Sequence, residues 1–150
     1  MNIIYKIKLY FHLLIYRGIK EKPQYSQNGE DLFLNDFFKN ISNGRYIDIG
    51  AFHPFRSSNT YKLYKKGWSG INIDISKTTV DLFNIARPND INLNLAITDK
   101  KEKVKIYQNK DMSKWNTINP KWASLYLKNP SFREIDSDTL NNVLEDYNCK

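Results

Sequence analysis

Cysteine is almost missing from this chain. Cys149 is the single one in 150 residues, and His12 and His53 are the only histidines. That excludes an internal disulfide and a zinc cage of Cys and His ligands, and it fits a reducing, cytoplasmic setting with no bound metal. Long apolar runs are absent too, since nothing approaches the ~20 residues a membrane-spanning helix needs. Arginine is scarce, with 5 against 18 lysines, although the formal charge is +7. Asn, Ile and Lys supply 53 residues between them, a bias that looks like AT-rich coding drift. Readers of phosphates and base edges tend to be rich in arginine, so the positive charge argues weakly for nucleic acid. Gly-x-Gly-x-x-Gly, the phosphate-binding Gly-Lys-Ser/Thr loop and the Gly-x-Ser-x-Gly elbow are all absent. Each omission removes a class: dinucleotide enzymes, P-loop nucleotidases and α/β-hydrolases.

What is present reads as one globular domain. Hydrophobic residues make up 41% and charged residues 26%, an ordinary balance for a folded chain. Residues 1–23 form a separate amphipathic helical segment. In it Ile3, Ile4, Ile7, Phe11, Leu14 and Ile15 recur at helical spacing, interrupted by Lys6, Lys8, His12 and Arg17, and Gly18 and Pro23 close it. It has neither the apolar core nor the cleavage site of a secretory signal. Two readings stand: a helix packing its apolar stripe on the domain, or an in-plane helix touching the inner face of a membrane through residues 1–17.

After Tyr25-Ser26-Gln27-Asn28-Gly29, Glu30 and Asp31 open a helix bearing Leu32, Phe33, Leu34, Phe37 and Phe38, with both carboxylates where the helix dipole favours them. From Arg45 the pattern alternates. Strands are expected at 45–49, 71–75, 92–97 and 103–107. Helices are expected from a Ser57 or Ser58 cap to Gly67 as the C′ residue, and from Thr79 to Ala86 before Pro88. Residues 108–132 read as a long structured loop with one short helix at 120–127. Arg133–Ser137 reads as an edge strand, and Asp138 caps a last helix carrying Leu140, Val143, Leu144 and Tyr147. Strand and helix alternating at this spacing imply an α/β domain built on a parallel sheet.

In such a sheet ligands lie outside the carboxyl ends of the strands. Asp48-Ile49-Gly50-Ala51 closes the first strand, Asp74 the second, and Ala96-Ile97-Thr98-Asp99 the third. Gly50 lets backbone approach a ligand, and the helix start at Ser58-Asn59-Thr60 offers N–H groups to an anion. An acid ending the second strand is suited to the two hydroxyls of a ribose. Bulk after Gly50, in Ala51-Phe52-His53-Pro54-Phe55, obstructs a pyrophosphate and disfavours NAD. His53 is the one imidazole near this end of the sheet, a candidate general base set against the blander reading of a loop histidine. Trp115 and Trp122 are candidates for stacking on a sugar, against lid or core packing.

Taken in order, Ser26-Gln27-Asn28-Gly29-Glu30-Asp31, Tyr46-Ile47-Asp48-Ile49-Gly50-Ala51, Ser58-Asn59-Thr60-Tyr61, Gly67-Trp68-Ser69-Gly70, Asn72-Ile73-Asp74 and Asn116-Thr117-Ile118 closely resemble FkbM-type methyltransferases. The likeness covers about residues 24–148. It implies a class I methyltransferase (Rossmann-like) fold, S-adenosyl-L-methionine as cofactor, and O-methylation of a sugar or related small metabolite of a surface glycan. Carried onto this chain, Asp48, Gly50 and Ala51 lie beneath the methionine part of the cofactor. Asn59 and Thr60 lie near its carboxylate, Asp74 on its ribose and Ala96 beside its adenine, while Ser26 and Gln27 belong to a lid. Phe52-His53-Pro54 stands where many members have a small residue. The family continues past the last helix with a strand bearing an Ile-Asp-Val-Glu-Gly-like segment, whereas this sequence stops at Asn148-Cys149-Lys150. The resemblance therefore implies the N-terminal part of a methyltransferase domain, incomplete at its C-terminus. It predicts an open edge on the first strand and impaired activity in this chain alone.

Overall fold

A computed structural model describes residues 2–17 and 22–148; the predicted breaker Gly18 and the lone Cys149 lie outside them. The chain is α/β, with small parallel and mixed sheets. β1 (Arg45–Ile49), β2 (Ser69–Asp74) and β3 (Ile91–Asn94) form a parallel sheet in that order. Its register runs from Arg45↔Ser69 to Ile49↔Ile73 and from Ile71↔Ile91 to Asp74↔Asn94. β4 (Ala96–Ile97), β6 (Ser131–Asp138) and β5 (Glu102–Gln108) form a second sheet, in which β4 is parallel and β5 antiparallel to the central β6.

The helices follow their local signals. α1 spans Ile3–Arg17, α2 Glu30–Phe37, α3 Tyr61–Lys65, α4 Lys77–Ala86, α5 Pro120–Tyr126 and α6 Leu140–Asp146. Ser76 caps α4 by accepting the Thr79 N–H at 3.1 Å, and Asn119 caps α5 through Trp122, each satisfying one orphan donor of a first turn. Gly67 follows α3 at φ +94°, the left-handed C′ position the sequence anticipates.

Four expectations need correction. The strand expected at 92–97 is broken at Leu95. β2 ends at Asp74, whose carbonyl accepts from Leu95 N and Asn94 Nδ2, so Ala96–Ile97 turns to β6 for a partner. The segment expected as an edge strand is the centre of the second sheet, because its polar alternation marks a solvent-facing side and not an unpaired edge. α6 is capped by Thr139, which accepts the Asn142 N–H, while Asp138 supports it through Asn142 Nδ2. α3 begins after Thr60, not at a serine cap, because Ser58 is wholly buried and taken by Arg87.

α3 and α4 cover one face of the first sheet, where Tyr46, Leu63 and Trp68 pack together. α6 covers the other through Val143 on Ile71 and Ile73. α6 stops short of β1, so Ile47 and Ile49, on the same face, stay 39% and 52% exposed. The outer edge of β1 has no strand partner among the described residues. α1 lies on α4 through Leu9 and Leu13 against Leu82, with Tyr5 and Ile85 beside them.

Arg87, at the end of α4, is the largest wholly buried side chain. Its guanidinium donates to Thr60 Oγ1 and Ser58 Oγ, both at 2.9 Å, and to the Pro54 carbonyl. It also lies over the rings of Phe83, Tyr64 and Tyr61. Removing a donor that serves three buried acceptors costs about 3–5 kcal/mol in sum, since each polar group left unsatisfied costs about 1–3 kcal/mol. Arg87→Met should therefore lower the urea-derived unfolding free energy by about that amount, whereas Leu125→Ala, at an exposed position, should change it by less than about 0.5 kcal/mol.

Candidate functional site

A cleft of about 430 Å³ opens at the carboxyl end of the parallel sheet, within the size range of small-molecule sites. Four segments line it: Ile49 and Gly50 at the tip of β1; Phe52, Ser57 and Asn59 from the loop after it; Ile73, Asp74 and Ile75 at the end of β2; and Leu95, Ala96 and Ile97 at the junction of the two sheets. Gln27 and Glu30 close it from the α2 side, and Lys114 and Asn116 to Ile118 from the long loop.

Gly50 sits at φ +75°, and a β-carbon there would meet nothing within 4 Å. The glycine is demanded by its backbone conformation, and the space it leaves belongs to the cleft. Its N–H donates to Ile73 O at 2.8 Å, which fixes the tip of β1 to β2.

Asp74 organises the floor. One carboxylate oxygen accepts the Phe52 N–H at 2.9 Å and the other the Ser76 N–H at 2.7 Å. A carboxylate offers about four lone-pair sites, so two remain for a ligand. Burial pushes this carboxyl above its usual range, against the opposing N–H bonds of Ser76 and Phe52; the nearby Asp111 and Asp48 push it the same way as burial. Phe52 is held at φ +54°, an uncommon conformation for a bulky residue that persists only where the surroundings over-determine it. Here Asp74 grips its N–H and Thr79 donates to its carbonyl at 2.8 Å.

Among the expected site residues, Gln27, Gly50, Asn59, Asp74 and Ala96 meet in the cleft. Asp48, Ala51 and Thr60 are buried behind it. Asp48 accepts the Thr60 hydroxyl at 2.8 Å. Burial raises its carboxyl, while Thr60 and the Arg87 guanidinium favour its charged form. These two residues shape the cleft from beneath without lining it. Ser26 is likewise a scaffold: its Oγ donates to Asp31 Oδ1 at 2.6 Å and accepts the Gly29 N–H at 3.0 Å, setting the turn that presents Gln27.

No family model, no curated protein and no solved structure matches the chain.

His53 is turned away from the cleft. It is 1% exposed and packed against His12, Tyr16 and Phe55, with ring centroids 5.2, 5.0 and 5.9 Å away. Its Nδ1 accepts the N–H groups of Phe55 and Arg56, so the proton of the neutral ring sits on Nε2. The ring is thus not the cleft base considered from sequence but a buried loop histidine.

Residues the sequence reading passed over are Glu30 and Lys114, the cleft's other charges. Asn28 holds the Glu30 carboxylate through its N–H and side-chain amide, with the carboxyl lowered to about 2 chiefly by the backbone hydrogen bond from Asn28. Lys114 Nζ donates to Ser57 Oγ at 2.7 Å and lies over the Phe52 ring; desolvation lowers its pKa. Asn116 donates to the carbonyls of Lys110 and Asp111, leaving its Oδ1 buried with no partner among the described residues. Beside these residues Trp115, Trp122 and Tyr126 stack on one another, Trp122 and Tyr126 at 4.5 Å.

Burial, then the nearby His12, Arg56 and Arg87, hold the His53 imidazole down to about 3. Between about pH 6.5 and 3 the unfolded chain takes up a proton that the folded chain excludes, so stability falls as pH falls, at most about 1.4 kcal/mol per unit. Asn at this position keeps an acceptor near Nδ1 and does not titrate. From pH 6.5 to 5, urea titrations should show wild type losing about 1.5 kcal/mol more than His53→Asn; parallel losses would place the imidazole in contact with water.

Proposed function

We propose that the chain carries the cofactor site of an S-adenosylmethionine-dependent methyltransferase with a class I, Rossmann-like arrangement, acting on a hydroxyl of a sugar or related small metabolite. The observation that carries this reading is the meeting of Gly50 and Asp74 in one cleft at the carboxyl edge of a parallel sheet. A positive-φ glycine ends the first strand there and a carboxylate ends the second. The resemblance to FkbM-type enzymes assigns those positions to the same cofactor.

The residues present fit that group. Asp74 has acceptor capacity left for vicinal hydroxyls, because its two N–H partners come from flanking loops and occupy one site on each oxygen. Gly50 removes the side chain that would fill the space above β1. Ala96, Leu95 and Ile97 give an apolar wall for an aromatic base, and the unpartnered Asn116 Oδ1 offers an acceptor to an amino group. The ionised Glu30 brings negative charge to the side closed by Gln27, which favours a cation in the cleft. When bound, the cofactor supplies an activated methyl group for in-line transfer.

The chain's own contribution is positioning: holding two reactants aligned at about 3–3.5 Å removes much of an entropic barrier. No imidazole lines the cleft among the described residues, so His53 has no part as a base in this reading. The stack of exposed Trp115 and Tyr126 with half-buried Trp122, beside Lys114 and Asn116, supports a sugar as acceptor, since flat aromatic faces suit the apolar face of a pyranose. Among the described residues the outer edge of β1 is unpaired and Ile47 and Ile49 are partly exposed, an edge that suits a partner strand, as the resemblance implies.

Calorimetric titration with S-adenosylhomocysteine tests the reading. Saturable one-to-one binding is expected, weakened about tenfold or more by Asp74→Ala, which deletes the acceptor of two hydroxyl hydrogen bonds. His53→Asn should leave it unchanged. Absence of binding, or equal affinity in the Asp74 variant, rejects the assignment.

A further inference from the structure

The apolar stripe of α1 seen in the sequence does not pack on the domain. Leu9 and Leu13 make that contact, and the residues on the opposite side face solvent: Ile7 61%, Phe11 65% and Leu14 65% exposed, with Ile3, Ile4 and Ile15 alongside. At about 100° per residue these six cover an arc of about 120°, and its centre points away from Leu9 and Leu13. A helix that is apolar on both sides has two partners to satisfy, and only one is within the fold.

The geometry points to the surface of an anionic lipid bilayer as the second. Lys6 and Lys8, both exposed, fall on opposite flanks of the apolar arc, where lysine stems can lie along hydrocarbon with their ammonium groups at headgroup level. Neither makes an ion pair among the described residues, and residues 3–17 contain no acid. The chain's formal +7 adds to the attraction. A second copy of the chain is a poorer match, because two-fold pairing of this face brings cationic flanks together with no carboxylate on either helix. The exposed face is also purely apolar, with no polar group to fix a register against a protein groove. α1 is too short to span a bilayer, and no described helix is long and apolar enough to do so; the arrangement is that of a helix lying in the interface.

This placement bears on the cleft. The loop that brings Phe52 and Ser57 to the cleft also holds the last turns of α1: Arg56 Nη1 donates to Tyr16 Oη at 3.1 Å, and His53 packs on His12 and Tyr16. The cleft is thus one loop away from the helix that meets the headgroups.

Co-sedimentation of the full chain with phosphatidylcholine vesicles, with and without phosphatidylglycerol, tests the inference. Pelleting with the anionic vesicles, weakened by added salt, is expected. The pair Ile7→Asp and Phe11→Asp should weaken it about tenfold or more with an unchanged thermal midpoint, since both side chains face solvent. Lys6→Gln with Lys8→Gln should reduce binding to anionic vesicles and leave neutral ones unaffected. Failure of wild type to pellet, or equal pelleting of the aspartate variant, overturns the proposal. So does a dimer in sedimentation velocity that the aspartate pair dissolves while vesicles bind neither form. S-adenosylhomocysteine titration of the aspartate variant keeps this outcome separate from the cofactor reading.

Discussion

One buried guanidinium holds the loop between β1 and α3 in place. Arg87 leaves the end of α4 and reaches back to Pro54, Ser58 and Thr60, three points on a loop with little regular structure of its own. Such a loop pays backbone entropy for every fixed residue, and it contains two non-glycine residues at positive φ, Phe52 and Ser57. The guanidinium compensates by satisfying a carbonyl and two hydroxyls that burial would otherwise leave costly. The negative groups around it divide the work. Asp48 takes the Thr60 hydroxyl, and Asp90 takes Tyr46 Oη, Gly70 N and Asn72 Nδ2. The network thus links the loop, β1, β2 and α4 in one polar cluster beneath the cleft.

That cluster explains the division among the site residues. Thr60 bonds both Arg87 and Asp48, and both Asp48 and Thr60 are buried behind the cleft, so they do not line it. Gly50 and Asn59, next to them in sequence, are left to do so. Asp74 stands between these roles. It fixes Phe52 and Ser76 by their N–H groups and retains acceptor sites on the cleft side, so the same carboxylate that shapes the loop is available to recognise what the loop encloses.

The parts legible in the sequence were those set by near neighbours. β1 and β2 are short β-branched runs, Gly67 ends α3, Pro88 follows α4, and Pro120 opens α5; each depends on residues a few positions away. The meeting of Gly50, Asp74 and Ala96 was legible as well, because strand ends of a parallel sheet share one edge, with Asn59 at the start of the next helix; Gln27 was reached only through the resemblance. The rest depends on pairing across the chain. β6 became a central strand through β4 and β5, from segments about twenty to forty residues earlier. Arg87 gave no local signal because its partners lie some thirty residues back in the chain. His53 was placed near the right end of the sheet but with the wrong orientation, since the positive φ at Phe52 turns the chain after the strand and sends the ring toward α1.

The orientation of His53 also shows why α1 belongs to the fold despite its uncovered face. A neutral imidazole with two backbone N–H groups on Nδ1 is a turn-maker whose ring needs an apolar or aromatic lid, and α1 supplies that lid with His12 and Tyr16. Without the helix the ring would meet water, lose the desolvation that holds its pKa down, and protonate at Nδ1 below about pH 6.5, breaking both bonds to the loop. The inner side of α1 is therefore fixed by what the loop requires. Its outer side is under no such constraint from the domain, yet it is built from isoleucine, leucine and phenylalanine with lysines at its borders. Nothing in the packing of the domain calls for that composition; contact with a lipid surface, as proposed above, would use it.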